Sequence, residues 1–91
     1  MDSAQIEIVK QDSEMFQVTL KAKSTTVHTV TLTHDDYRRL TGGKVTPEKL
    51  IEKSFEFLLE RESNTSILSR FDLPVISRYF PEYEKTIVKR L

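Results

Sequence analysis

Apolar and polar residues alternate along the first third of the chain, and this alternation predicts β-strands. In residues 15–21, Phe16, Val18 and Leu20 alternate with polar side chains at a period of two. Residues 26–32 are rich in β-branched side chains, and residues 5–9 indicate a third strand that ends in a turn at 11–14. We therefore expect an antiparallel meander of two or three strands with one face open to solvent.

After residue 33 the apolar residues follow a helical spacing. Thr33 is placed to cap a short helix that ends at Gly42 and Gly43, because glycine accepts the left-handed conformation at a helix end. Thr46 and Pro47 begin the longest predicted helix, over residues 47–62. Its apolar stripe consists of Leu50, Ile51, Phe55, Leu58 and Leu59.

The last third of the chain predicts shorter helical pieces. Ile67 and Leu68 are placed on a short helical turn, and Asp72 is placed to cap the next helix. Pro81 interrupts that helix and begins a final one, since proline disfavours helical geometry in the residue before it. The predicted fold is a single α+β domain over residues 1–91. Its N-terminal β-meander packs on a C-terminal segment of three to five short helices.

Composition narrows the range of functions. The 14 basic and 14 acidic side chains give a formal net charge of zero, which disfavours a dedicated nucleic-acid binder. The absence of cysteine excludes disulfides, zinc-thiolate sites and a thiol nucleophile. No apolar run approaches the about 20 residues of a membrane span, and no signal peptide is recognisable at the N-terminus. We expect a cytoplasmic protein without membrane contact.

The segment around Gly43 and Lys44 has the composition of a phosphate-binding loop, but not its pattern. Arg38 occupies the position of the first required glycine, and Val45 replaces the serine or threonine that would follow the lysine. A connector between two capped helices accounts for the same residues. The segment therefore predicts no nucleotide site.

Two histidines lie near acidic residues, which raises the question of a metal site. His28 and His34 are separated by a predicted strand–helix junction, with Asp35 and Asp36 beside the second. This spacing fixes no ligand geometry, so structural roles are the simpler interpretation. No arrangement of side chains points to acid–base or nucleophilic catalysis. We therefore predict a protein that is not an enzyme and has no cofactor.

Residues 26–62 resemble a ribbon-helix-helix repressor in the order strand, short helix, glycine turn, longer helix. The stretches TVTLTHDDYRRL and GGKVTPEKLIEKSFEFLLERE carry this resemblance. It implies a dimer in which Thr29 and Thr31 contact bases and the amides near Thr46 and Glu48 contact phosphate. The predicted strand has no outward Arg or Lys, and other strands precede it. This DNA-binding regulator is the alternative to a protein-interaction role.

A group of aromatic and arginine side chains near the C-terminus is the candidate partner surface. Such side chains are common anchors of protein interfaces, and at helical spacing they are also common in cores, so both interpretations stay open. The candidate residues are Arg70, Arg78, Tyr79, Phe80 and Tyr83. The open face of the sheet is a second candidate surface.

Residues 28–84 resemble a group of small bacterial proteins of uncharacterised function. The stretches LTGGKVTPEKLIEKSFEFLLERE and SILSRFDLPVISRYFPEYE carry this resemblance. It implies a compact stand-alone bacterial domain, and it brings no activity or site residues. The prediction is thus a non-enzymatic interaction or accessory module that binds another protein. The choice between monomer and homodimer stays open.

Overall fold

An antiparallel meander occupies the first third of the chain, as the alternating pattern predicts. The computed structural model describes residues 4–91. The strands are β1 Gln5–Asp12, β2 Met15–Lys21, β3 Thr25–Thr31 and β4 Arg70–Asp72. They form one sheet in the order β1-β2-β3-β4, in which the first three strands are antiparallel and β4 pairs parallel to β3. The α+β fold is therefore confirmed.

The sheet differs from the prediction at both edges. β1 continues to Asp12, so the turn contains only residues 13 and 14, and the Asp12 carboxylate accepts a 2.9 Å hydrogen bond from the Glu14 amide. β4 was not predicted, and the Asp72 side chain caps no helix. The Asp72 carboxylate instead accepts a hydrogen bond from the Thr31 hydroxyl of the neighbouring strand.

Besides the strands, residues 4–91 form four α-helices and two 3-10 turns. The helices are α1 His34–Thr41, α2 Pro47–Leu59, α3 Ile76–Tyr79 and α4 Tyr83–Arg90, and the 3-10 turns are Asn64–Ser66 and Leu73–Val75. The 3-10 turn before Ile67 replaces the helical turn that was predicted to include it, and the last helix starts at Tyr83 rather than Pro81. Within residues 4–91, no helix combines the length and the apolarity needed to cross a bilayer.

The helix caps predicted at Thr33, Thr46 and Gly42 are present. The Thr33 and Thr46 hydroxyls each accept a 3.1 Å hydrogen bond from the amide three residues on. Gly42 ends α1 at a φ of 66°, in the left-handed region that a side chain disfavours. These local contacts fix where α1 begins and ends and where α2 begins.

The core lies between α2 and the inner face of the sheet. The buried α2 side chains are Leu50, Ile51, Ser54, Phe55, Phe57 and Leu58. Ring centroids place Phe55 5.7 Å from His28 and 6.0 Å from Phe71, so this helix spans β3 and β4. Its first turn lies near Ile6 and Ile8 of β1. α2 therefore runs from one edge of the sheet towards the other.

Candidate functional site

The five predicted partner-binding residues do not form one surface. Arg70 is exposed on β4, where it pairs with Thr29, while the next residue, Phe71, is buried. Successive strand side chains point to opposite faces, so the Arg70 side chain lies on the open face of the sheet. It is separated there from the aromatic residues with which the sequence grouped it.

Arg78, Tyr79 and Phe80 lie together at the end of α3. The Tyr79 side chain is 64% exposed, and Arg78 is exposed without an ion pair or side-chain hydrogen bond among residues 4–91. Phe80 is half-buried and packs edge-on against Phe57, with ring centroids 5.9 Å apart. These three residues therefore remain candidates for contact with a partner.

Tyr83 belongs to the core and offers no surface to a partner. It is 0% exposed, and its hydroxyl lies 2.6 Å from the Ser54 hydroxyl. Because the Ser54 proton is donated to the Leu50 carbonyl oxygen, the Tyr83 hydroxyl is the donor in this pair. Burial raises the pKa of the Tyr83 hydroxyl far above its ordinary value, so the hydroxyl stays protonated. The prediction for Tyr83 is corrected accordingly.

An apolar hollow opens beside Tyr79, and we call it the C-terminal hollow. Its volume is about 140 Å³. Its lining consists of Leu58, Glu62, Ser66, Ile67, Leu68, Phe71, Val75, Ile76, Tyr79 and Phe80. Leu68, at 46% exposure, and Tyr79 place large apolar surfaces at its opening. Apolar side chains presented around a concave site are typical of places where proteins bind ligands or other proteins.

Of the described residues that line the hollow, Glu62 alone carries a charge. It is half-buried, and its carboxylate has no ion pair or hydrogen bond among residues 4–91. Ser66 adds a hydroxyl, which lies 3.3 Å from the Ser63 hydroxyl. A binding group with a positive charge beside an apolar body would therefore complement the C-terminal hollow.

A buried hydrogen-bond network holds one wall of the hollow in place. His28 Nδ1–H donates to the Leu68 carbonyl oxygen at 2.7 Å, and Nε2 accepts from the Thr26 hydroxyl at 2.8 Å. Asn64 Nδ2 donates to the same Thr26 hydroxyl oxygen at 3.0 Å and to the Ser24 carbonyl oxygen at 2.9 Å. These bonds fix the segment that carries Ile67 and Leu68 against β3. Both ring nitrogens of His28 are thereby engaged.

Phe80, which lines the hollow, packs against Phe57, and an arginine covers the Phe57 ring. The Arg61 guanidinium carbon lies 3.6 Å from the Phe57 ring centroid, and its Nε donates to Glu82 at 3.2 Å. Arg61 and, at 5.9 Å, Arg90 lie over the Phe57 ring, and neither belongs to the group of candidate partner-binding residues chosen from the sequence. Phe57 and Arg61 are four residues apart in the helix predicted over 47–62, and this spacing is the sequence signal for the contact, although α2 itself ends at Leu59.

The other sequence candidates have structural roles. Gly42 and Gly43 form the end of α1. Within the described part of the chain, no three His, Asp or Glu side chains are grouped closely enough to bind a metal ion. β3 pairs with β2 on one side and β4 on the other. It therefore lacks the free edge through which a ribbon-helix-helix strand pairs with its partner chain.

Comparisons with models of known protein families, with curated proteins and with solved structures found no match. The resemblance to small bacterial proteins consequently stays a prediction.

Proposed function

We propose that this protein is a non-enzymatic interaction module whose C-terminal hollow receives an apolar side chain of a partner protein. The observation that carries the proposal is the exposure of Leu68 and Tyr79 around an apolar concave site. Exposing such side chains to water is unfavourable, and a partner that covers them removes that apolar area from water. Arg78, the exposed residue before Tyr79 in sequence, does not belong to the lining of the hollow.

The size of the hollow favours a protein side chain over a small organic ligand. Its volume of about 140 Å³ is below the range of about 300–1,000 Å³ typical of small-molecule pockets. One anchor residue of a peptide segment suits this volume. Such anchors commonly fill a small pocket while the surrounding residues exclude water.

Glu62 determines the chemistry of the partner segment. Its half-buried carboxylate would gain a charge-assisted hydrogen bond from a lysine or arginine next to the apolar anchor. We therefore propose a partner segment that carries a bulky apolar residue followed or preceded closely by a basic one.

The proposal does not extend to DNA. The strand that would enter the major groove is internal to the sheet, and the net charge is zero. In keeping with the sequence prediction, the proposal assigns the interaction to the cytoplasm of a bacterial cell.

Selection of peptides from a random display library tests the proposal. Peptides selected on the wild type should contain an apolar anchor beside Lys or Arg. The Leu68→Ser/Tyr79→Ala double variant should bind them at least about tenfold more weakly, because truncated anchor contacts commonly cost more than 1 kcal/mol each. Selection on Glu62→Gln should retain the apolar anchor and lose the enrichment in basic residues.

Val88→Ser is the matched control. Val88 is an exposed apolar residue of α4 that does not line the hollow. Peptide affinity should not change in this variant. Selected peptides that bind Leu68→Ser/Tyr79→Ala as tightly as the wild type would contradict the proposal, as would a selection that yields no binding peptide.

A further inference from the structure

β1 is an edge strand of the sheet. Among the described residues, 4–91, its one strand neighbour is β2. On its outer side, its backbone N–H and C=O groups have no hydrogen-bond partner among residues 4–91. β1 is eight residues long and contains no proline. A long edge strand of this kind is a template for pairing with another strand.

A groove beside this edge would accommodate the side chains of an added strand. We call it the β1 groove, and it has a volume of about 330 Å³. Its lining consists of Ile6, Ile8, Thr46, Glu48, Lys49 and Glu52. Both isoleucines are only half-buried. An added strand would extend the apolar face that they begin, below the first turns of α2.

We infer that the occupant is β1 of a second copy of this chain, paired antiparallel about a two-fold axis. A two-fold interface is self-complementary, so every contact occurs twice. As far as Lys10 the inner-face residues of β1 are even-numbered, since Ile8 pairs with Val18 and Ile6 with Leu20, both buried; beyond Lys10 the register shifts and Asp12 pairs with Met15 of the outer face. The inner faces of the two β1 strands therefore coincide only if even-numbered residues of one copy lie opposite even-numbered residues of the other.

Several pairings of the two β1 strands keep their inner faces on the same side, and the charged side chains favour one of them. With Ile8 opposite Ile8 of the second copy, Lys10 of the second copy lies opposite Ile6, on the face where Glu48 and Glu52 line the groove. Lys10 and Glu48 have no ion pair among the described residues, whereas Glu52 lies 3.9 Å from Lys49. At each end of the interface, the pairing thus brings Lys10 of one copy close to Glu48 of the other.

The neighbouring registers are less favourable. A shift that places Glu7 opposite Glu7 puts like charges directly across the strands, which is destabilising. A shift that places Val9 opposite Val9 brings Asp12 opposite Ile6, but the register shift between Lys10 and Asp12 pairs Asp12 with Met15 on the outer face, so the two opposed residues would lie on different faces of the sheet. The register centred on Ile8 avoids both conflicts.

Sedimentation of the full chain with charge-reversal variants tests this dimer. The wild type should be a dimer at submillimolar concentration. Lys10→Glu should raise the dimer dissociation constant by about tenfold or more, because it places a carboxylate against Glu48 and Glu52. The double variant Lys10→Glu/Glu48→Lys should recover much of the dimer, since the exchanged charges attract again.

Lys23→Glu is the matched control, because Lys23 is exposed in the turn between β2 and β3, away from the β1 edge. Circular dichroism establishes that each variant keeps its fold. A wild type that stays monomeric would overturn the inference. A Lys10→Glu variant that still dimerises, or a double variant that recovers no dimer, would also overturn it.

Discussion

At the residue scale, Ser54 and Tyr83 form a buried hydroxyl pair whose two members have unequal roles. Tyr83 donates to Ser54, which in turn donates to the Leu50 carbonyl oxygen at 2.7 Å. In Ser54→Ala the Tyr83 hydroxyl remains buried without an acceptor. In Tyr83→Phe the Ser54 hydroxyl keeps its donor bond and loses only an accepted one.

This asymmetry predicts the order of two stability losses. Ser54→Ala should lower the free energy of unfolding by about 1–3 kcal/mol, and Tyr83→Phe by about 1 kcal/mol. The double variant should lose less than the sum of the two. Urea unfolding measures all three, and Tyr79→Phe, at an exposed tyrosine, should show almost no change. A Ser54→Ala protein as stable as the wild type would contradict the claim that the buried Tyr83 hydroxyl donates to Ser54.

The ends of α1 and the start of α2 could be predicted from the identity of single capping residues. Thr33, Thr46 and Gly42 act within four residues of their own positions, so the signal and the structure share one short stretch. His28 differs, because its partner Leu68 lies 40 residues away in sequence. Nothing in the spacing around His28 indicated which carbonyl its ring would meet.

At the element scale, Glu60 joins the end of α2 to α4. Its two carboxylate oxygens accept 2.8 Å hydrogen bonds from both terminal nitrogens of Arg90. The hydrogen bond from Arg90 is the largest cause of a lowered pKa for the Glu60 carboxyl, and Arg61 adds to it. A carboxyl whose folded pKa is below its unfolded value stabilises the fold above the unfolded pKa. This contribution is lost as the pH falls through the folded pKa.

Glu60→Gln should therefore reduce stability near neutral pH and have little effect in acid. The loss should be below about 1 kcal/mol, because both partners are substantially exposed and solvent screens the pair. Urea unfolding of the wild type and of Glu60→Gln, near neutral pH and in acid, measures this loss of stability. Glu62→Gln, which removes no ion pair among the described residues, is the control. A loss of equal size in acid would contradict the assigned ion pair.

The elements with long periodic patterns were predictable, and those formed by distant contacts were not. β2, β3 and α2 each repeat their spacing over several residues. β4 has three residues and exists because it pairs with β3. The wall of the C-terminal hollow depends on that pairing and on the His28 network. Tyr79 and Phe80 could be chosen from sequence, whereas Glu62 and Leu68 could not.

At the scale of the whole molecule, the two proposed surfaces lie at opposite ends of the sheet. The C-terminal hollow includes Phe71 of β4, and the β1 groove includes Ile6 and Ile8 of β1. The radius of gyration is 12.2 Å, which matches a compact domain of this length. A dimer through β1 would leave both hollows free and would display them as a pair. Two linked sites bind a repeated partner more tightly than one.

The central claim is that the C-terminal hollow, rather than the open face of the sheet, receives the partner. Its most direct test is an NMR titration of the ¹⁵N-labelled wild type with a peptide selected on that protein. Amide shift changes should concentrate at Glu62, Ile67, Leu68 and Tyr79, and they should be much smaller in Leu68→Ser/Tyr79→Ala. Shift changes concentrated on the open face around Val27 and Arg70, and unaffected by those substitutions, would contradict the claim.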